Sequence, residues 1–389
     1  MAFLIIILLI VLFVTIIICK RNMQYWILED IKRSLALKCI KLPSKNMHIL
    51  FAFVDHFEPG SGGVEISQQE YRVQNFVKRY AELARRHKDS DGIYPQHTFF
   101  FPPHYDINNH LKSLVGLCKE GFGEIEMHLH HDCMEPWPDN ASSLKKKILK
   151  CIKGYSRYGI FCLPEGKKKY GFIHGDWALC NSLKDGKHCG INDEISILLD
   201  TGCYADFTFP VSKENQPKLT NTIFYANSNP AFPRGYDKTA IPVKVGKRNI
   251  AGLMMIQGII GLRWKSRTKK LLPSIEQSNI DLADFPFDAR IDYWVSKHIH
   301  VEGKPEWIFI KIHTHGCREV NWEVLLGKYC DGMFDYLETK YNDGYKYTLH
   351  YVSAREMYNI IRAAEDRKEG NPNDYRDYEI SRYVYLPTR

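Results

Sequence analysis

The chain opens on an apolar run from Ala2 to Cys19, softened only by Thr15 and followed at once by Lys20 and Arg21. Eighteen residues at about 1.5 Å each make about 27 Å of helix, enough to cross a hydrocarbon core. A cleaved signal would open on a charge and close on small residues. Here Met-Ala-Phe begins the chain and Cys-Lys-Arg-Asn ends the run. Residues 1–21 are therefore read as an uncleaved, single-pass membrane anchor. Lys20, Arg21, Lys32, Arg33, Lys38 and Lys41 all follow it. The positive-inside rule then places the large domain on the cytoplasmic side.

After a linker helix at 22–46, short apolar runs alternate with longer ones of helical period. Strands are predicted at 48–54, 97–101, 124–130, 170–174, 205–209 and 307–313. Helices are predicted at 69–86, 111–119, 143–158, 193–201, 320–340 and 354–365. The first has Tyr71, Val73, Phe76, Val77, Tyr80 and Leu83 on one face, and the last opens on a capping box, Ser353 with Glu356. Residues 211–300 form an irregular insertion rich in Pro, Asn and basic side chains, and 367–389 a polar, Tyr-rich tail. The alternation argues for parallel strands in an α/β architecture over 47–366, either a barrel or an open sheet. In a barrel, chemistry gathers where strands end.

With 389 residues, 44% of them hydrophobic and 25% charged, the chain can bury a large core, which excludes wholesale disorder. The net charge of +8 is spread over short clusters at 145–147, 167–169 and 265–270. These suit solvated faces, or attraction to anionic glycans or lipid headgroups. They lack interleaved aromatics and the pI is only 8.8, so nucleic acid is not an expected partner. The eleven cysteines are odd in number and without Cys-x-x-Cys spacing, as expected for reduced thiols and not for thiolate metal sites.

The histidines change the picture. Seven of 16 fall at or just past predicted strand ends: His56, His128, His130, His131, His174, His313 and His315. Asp55, Asp132 and Asp176 stand beside them. Imidazole with carboxylate suits a borderline divalent ion, zinc above all, with open positions for water. Asp55 ends an apolar strand before Gly60-Ser61-Gly62-Gly63; it is open to a turn role, to ligation or to work as general base. Strand alternation puts Glu124, Glu126, His128 and His130 on one face. Four ionisable groups there are costly to bury, and a metal would relieve the cost. His313 or His315 follows a buried strand and is placed to protonate a leaving group. Asp176 and Trp177 are expected to face the substrate, although Trp177, like Tyr204 and Phe207, also suits the core.

These residues resemble the polysaccharide deacetylases of carbohydrate esterase family four, whose fold is a distorted (β/α) barrel. His-Thr-Phe-Phe-Phe at 97–101 is similar to that family's Ala-Thr-Phe-Phe, and 191–210 resembles its leucine-rich helix and following strand. The likeness covers 47–360, apart from 211–300. A His-rich bacterial subgroup is closer still, through Glu-x-His-Leu-His-His-Asp and a run like Phe-Ile-His-Gly-Asn-Trp-Ala-Leu. The resemblance implies Asp55 as base and His56 as metal ligand, with the roles exchangeable. It implies His128 and Asp132 at the family's His-x-x-x-His spacing, with His130 and His131 as replacements. His174 stands where the family has an Arg that orients the base, and His313, or else His315, is the acid. His56, His128, His130 and Asp132 are thus the expected metal set.

The expected activity is metal-dependent removal of an acetyl or other N-acyl group from a sugar of a cell-surface glycan or its lipid-linked precursor. Two alternatives stay open. A C–N hydrolase or glycosidase on the same barrel would draw on Asp55, Asp132 and Asp176. An inactive, membrane-anchored glycan-binding protein would hold no ion.

Overall fold

Parallel strands need long crossovers, and amphipathic helices supply most of them here. A computed structural model describes residues 2–105, 110–249, 251–264 and 273–386; the basic cluster at 265–270 lies outside the described residues. The strands are β1 (Met47–His56), β2 (His97–Phe101), β3 (Gly123–Leu129), β4 (Tyr170–His174), β5 (Cys203–Asp206), β6 (Phe224–Ala226), β7 (Ile241–Pro242), β8 (Leu253–Met255), β9 (Gly261–Arg263), β10 (Ser274–Glu276), β11 (Asn279–Ile280), β12 (Trp307–Thr314) and β13 (Tyr347–Tyr351). The helices are α1 (Ala2–Lys20), α2 (Ile27–Cys39), α3 (Ile66–Ala84), α4 (His110–Lys119), α5 (Ala141–Tyr155), α6 (Glu194–Asp200), α7 (Tyr236–Thr239), α8 (Asp288–Ser296), α9 (Trp322–Leu325), α10 (Lys328–Lys340) and α11 (Ala354–Glu365).

The large sheet runs β11-β12-β1-β2-β3-β4-β5-β8-β6-β7, parallel from β11 to β8 and antiparallel beyond. One edge of β1 is shared: Met47–Phe51 pairs with β13 and Phe53–His56 with β2. No ladder joins the two ends of the sheet among the described residues. They meet through side chains instead. The Ser278 hydroxyl bonds both the amide and the carbonyl of Ile259 (2.6 and 2.9 Å), while the Ser278 carbonyl accepts from the His313 amide at 2.8 Å. Lys311 donates across the interior to the carbonyls of Phe207 and Phe209.

Several segments differ from the sequence reading. The predicted helix 320–340 breaks at Leu326-Gly327, where Gly327 is extended (φ −138, ψ −160), into α9 and α10. The stretch 211–300 is not mere insertion, because it contributes β8 beside β5 as well as β11 beside β12. The 367–389 tail folds back, and the Tyr383 hydroxyl donates to Glu126 inside the sheet at 2.7 Å. Residues 22–46 are docked more than linking. Trp26 is buried and bonds Ser212 at 2.9 Å, and Asp30 accepts from Asn221 (2.9 Å) and Lys297 (2.5 Å). Helix α1 is long and apolar enough to cross a membrane, with a mean hydropathy of 3.3 over Phe3–Lys20.

The costly face of β3 is relieved in two ways. Glu124 accepts from Arg355 at 2.8 Å and from Ser353 at 2.7 Å. Glu126 accepts from Tyr204, Tyr383 and the Gly171 amide (2.7, 2.7 and 2.5 Å), yet burial still pushes its pKa up to about 8. An arginine and two tyrosines therefore do at this end what a metal was expected to do. The two histidines at the other end remain.

Candidate functional site

At the carboxyl ends of β1, β3 and β12 the inward row continues past the strands. On β1 the period of two runs Ala52, Val54, His56 and then Glu58, because the Phe57 amide still bonds the Phe100 carbonyl at 3.0 Å. Phe57 turns the other way, against Phe76 and Phe99 (ring centroids 5.1 and 5.2 Å). Glu58 is thereby carried to the tips of β3 and β12.

There it meets three histidines. Its Oε1 lies 2.7 Å from His130 Nε2 and 3.5 Å from His128 Nε2, and its Oε2 lies 3.3 Å from His315 Nδ1. The two Nε2 atoms are 3.1 Å apart. His128 Nδ1 faces the Ile173 carbonyl at 3.0 Å and His130 Nδ1 faces an Asp176 oxygen at 3.2 Å. Both partners are acceptors, so each Nδ1 carries a hydrogen and Nε2 is the nitrogen of each ring that faces Glu58, a donor to it when protonated and a ligand to an ion when not. That is the orientation that metal-bound imidazoles take, with the outer ring nitrogen held by a carbonyl or carboxylate. Glu58, His128 and His130 therefore fit a divalent ion, and their ligand atoms all lie within 4.8 Å of one another. Burial works against a charged His130, but Asp176 and Glu58 outweigh it and raise its pKa to about 10. Burial likewise opposes the charge on Glu58, and the bonds from His128, His130 and His315 overcome it and hold its pKa well below the usual range.

His56 lies beneath, its ring 4.8 Å from those of His128 and His315 and 5.8 Å from those of His313 and Trp177. Burial, then the neighbouring rings of His315, His128 and His313, push its pKa well down, so it is neutral. His313 is also buried and pushed well down, by desolvation first and Lys311 second. His315 is the more open of the pair, with a quarter of its side chain exposed. Trp177 closes one side, its ring 6.2 Å from that of His315. Asp176 binds His130 directly, and with Trp177 it occupies the left-handed region (both φ 55). Gly175 is required here, since a Cβ on it would sit 2.5 Å from the His130 ring.

Two expected residues, Asp55 and His174, lie elsewhere, and a third, Asp132, stands at the edge of the site. Asp55 points toward α3, on the opposite face of β1 from His56. One of its oxygens accepts from His97 (2.7 Å) and the other from the Gly316 amide (2.6 Å), so it is buried and fully engaged. Asp132 sits on the rim, 2.5 Å from His188, beside His130 and Cys133. His174 is sealed in a second cluster and stacks on His131 with ring centroids 4.5 Å apart. Glu58 escaped the sequence reading because the strand was taken to end before it; counting two beyond His56 would have found it. His104 escaped too. Its ring stands 5.9 Å from that of His130, and burial followed by His130 and His128 lowers its pKa to about 4. A cleft of about 770 Å³ opens beside it, lined by Met134, Glu135, Lys150, Lys153 and Arg157.

No family model matches the sequence, and no curated protein matches it. A solved structure of a 4-alpha-glucanotransferase from Thermococcus litoralis is similar over 78% of this chain, at 12% identity and a TM-score of 0.38. The similarity covers 39% of that protein, so this chain spans well under half of its length.

Proposed function

We propose that the protein is a metal-dependent hydrolase of the polysaccharide-deacetylase type, a distorted barrel that removes an N-acyl group from a glycan or its lipid-linked precursor. The observation that carries this reading is the convergence of His128 Nε2, His130 Nε2 and Glu58, with both Nδ1 hydrogens already committed. A zinc-type ion bound there would polarise the acyl carbonyl and acidify a water. The chain's own residues supply the rest. The attacking water, whose oxygen bonds the acyl carbon, gives its proton to His315, which Glu58 orients through its second oxygen. His315, hydrogen-bonded to Glu58 and partly open, is placed to protonate the sugar nitrogen as the C–N bond breaks. Trp177 walls the site against water, and the cleft beside His104 offers room for further sugar units.

The glycosidase alternative needs two carboxylates flanking an open space. Glu58 and Asp176 instead grip His130 from the two sides of its ring, which favours the metal reading. We read α1 as an uncleaved anchor with the large domain on the cytoplasmic side, a reading supported by its hydropathy and by the basic residues that follow it. The test is release of acetate from N-acetylated chito-oligosaccharides by protein as purified, stripped of metal, and resupplied with zinc. Activity lost on stripping and restored by zinc is expected. Full activity in the stripped protein would overturn the reading.

A further inference from the structure

His130 and His131 are adjacent, yet their rings belong to different clusters. Behind the open site, His131, His174, Cys189 and Glu194 are all fully buried, with their ligand atoms within 4.8 Å of one another. We propose that these four side chains form a second, closed site for a zinc-type ion, distinct from the open cluster and independent of the function proposed for it.

Hydrogen placement carries the argument. His174 Nδ1 faces the Gly175 carbonyl at 2.5 Å, so the hydrogen is on Nδ1 and Nε2 presents a lone pair. That Nε2 is buried without a hydrogen-bond partner. The atom it faces, Glu194 Oε1 at 3.5 Å, is also an acceptor. Two acceptors turned on each other in a sealed pocket need a proton or a cation between them, and the second imidazole and the thiol beside them favour the cation. The same oxygen lies 3.2 Å from His131 Nε2, and Cys189 Sγ is 3.4 Å from the other Glu194 oxygen. Bonds of about 2.0–2.3 Å in a tetrahedron set ligand atoms roughly 3.3–3.8 Å apart, close to the 3.2–3.5 Å that separate the Glu194 oxygens from their three neighbours.

His174, His131 and Glu194 each have an outer neighbour as well, that of His174 being the Gly175 carbonyl. His131 Nδ1 is 3.1 Å from Asp139, which Lys147 (2.8 Å) and Ser143 (2.6 Å) hold in turn. The Cys180 amide donates to Glu194 at 2.7 Å. Charge balances as well. Lys147 cancels Asp139, and a Cys189 thiolate with Glu194 cancels a divalent ion once the thiol proton leaves to solvent. A nitrogen, oxygen and sulfur donor set with no open position suits zinc in a structural role. What it would fasten is the segment 175–193. There Asp176, Trp177, Cys180, Asn181, Asp185 and His188 all hold positive φ, a costly backbone for side chains of this kind. Asp176 and Trp177, which shape the open site, begin that segment.

The two sites are told apart by sulfur, which only the buried one contains among its four ligands. Full-length protein refolded with cobalt(II) is expected to show a thiolate-to-cobalt charge-transfer band in the near ultraviolet. Cys189→Ser should lose the band, and Cys133→Ser, on the rim, should keep it. His128→Ala should also keep it while binding one ion fewer, so failure of the open site leaves this result standing. A wild-type spectrum with no thiolate band overturns the proposal, as does a band that survives Cys189→Ser. If Cys189→Ser does not fold, the wild-type and Cys133→Ser spectra decide: a band retained in both supports the site, and a band lost in Cys133→Ser overturns it.

Discussion

Two histidine clusters lie back to back at the end of β3, each built of imidazoles around one carboxylate. In the open one, His128, His130 and His315 surround a partly exposed carboxylate, Glu58, beside a cleft. In the closed one, His131 and His174 surround a wholly buried carboxylate, Glu194. The difference teaches that similar side chains can be put to different uses by exposure, catalytic on the proposed reading of the open cluster and structural on that of the closed one. An open site can admit water and substrate; a sealed one can only hold the fold.

The comparison breaks most visibly at the adjacent pair. His131→Ala leaves Asp139 and Glu194 buried without their shared partner, and such losses cost about 3–5 kcal/mol. Urea denaturation should show that drop. His130→Ala, on the open side, should leave the denaturation midpoint nearly unchanged and lower acetate release by more than about 100-fold, beyond what loss of an outer partner costs. Equal effects of the two variants on stability would erase the distinction between the clusters. Asp176→Asn tests the outer partner itself. It should weaken zinc binding at the open site by about 10–100-fold in a competition titration, with the cobalt–thiolate band intact.

The smallest expected effect concerns the seam between the sheet ends. Burial lowers the Lys311 pKa from 10.5 to about 7. Between those values the unfolded chain binds more protons than the folded one, so the stability that depends on this group rises with pH from about 7 to about 10.5 and is lost as pH falls through 7. Relative to Lys311→Met, wild type should gain stability across that window by at most one proton of slope. A difference that does not vary with pH would show the lysine to be charged in place.

Much of this was legible in the sequence. The apolar runs of β1, β2, β4 and β12 fall within a few residues of their predicted bounds, because strands buried on both faces leave a continuous apolar signal, and β3 was found by its alternation. β8 and β11 were not legible, since three and two residues carry no period. At the site, His128 and His130 were legible as one face of a strand. The departure of Asp55 was not: it turns on a hydrogen bond to His97 and a close approach by Gly316, both distant in sequence. Nor was the place of Cys189 beside the histidines legible. Its partners come from positions 131, 174 and 194, with none of the short cysteine spacing that marks a zinc knuckle.

The most direct test of the central claim is an anomalous difference map at the zinc edge from crystals grown with zinc. The account predicts a peak about 2.0–2.2 Å from His128 Nε2, His130 Nε2 and a Glu58 oxygen. A map without density there, or with the ion bound instead by Asp55 and Asp132, would contradict it.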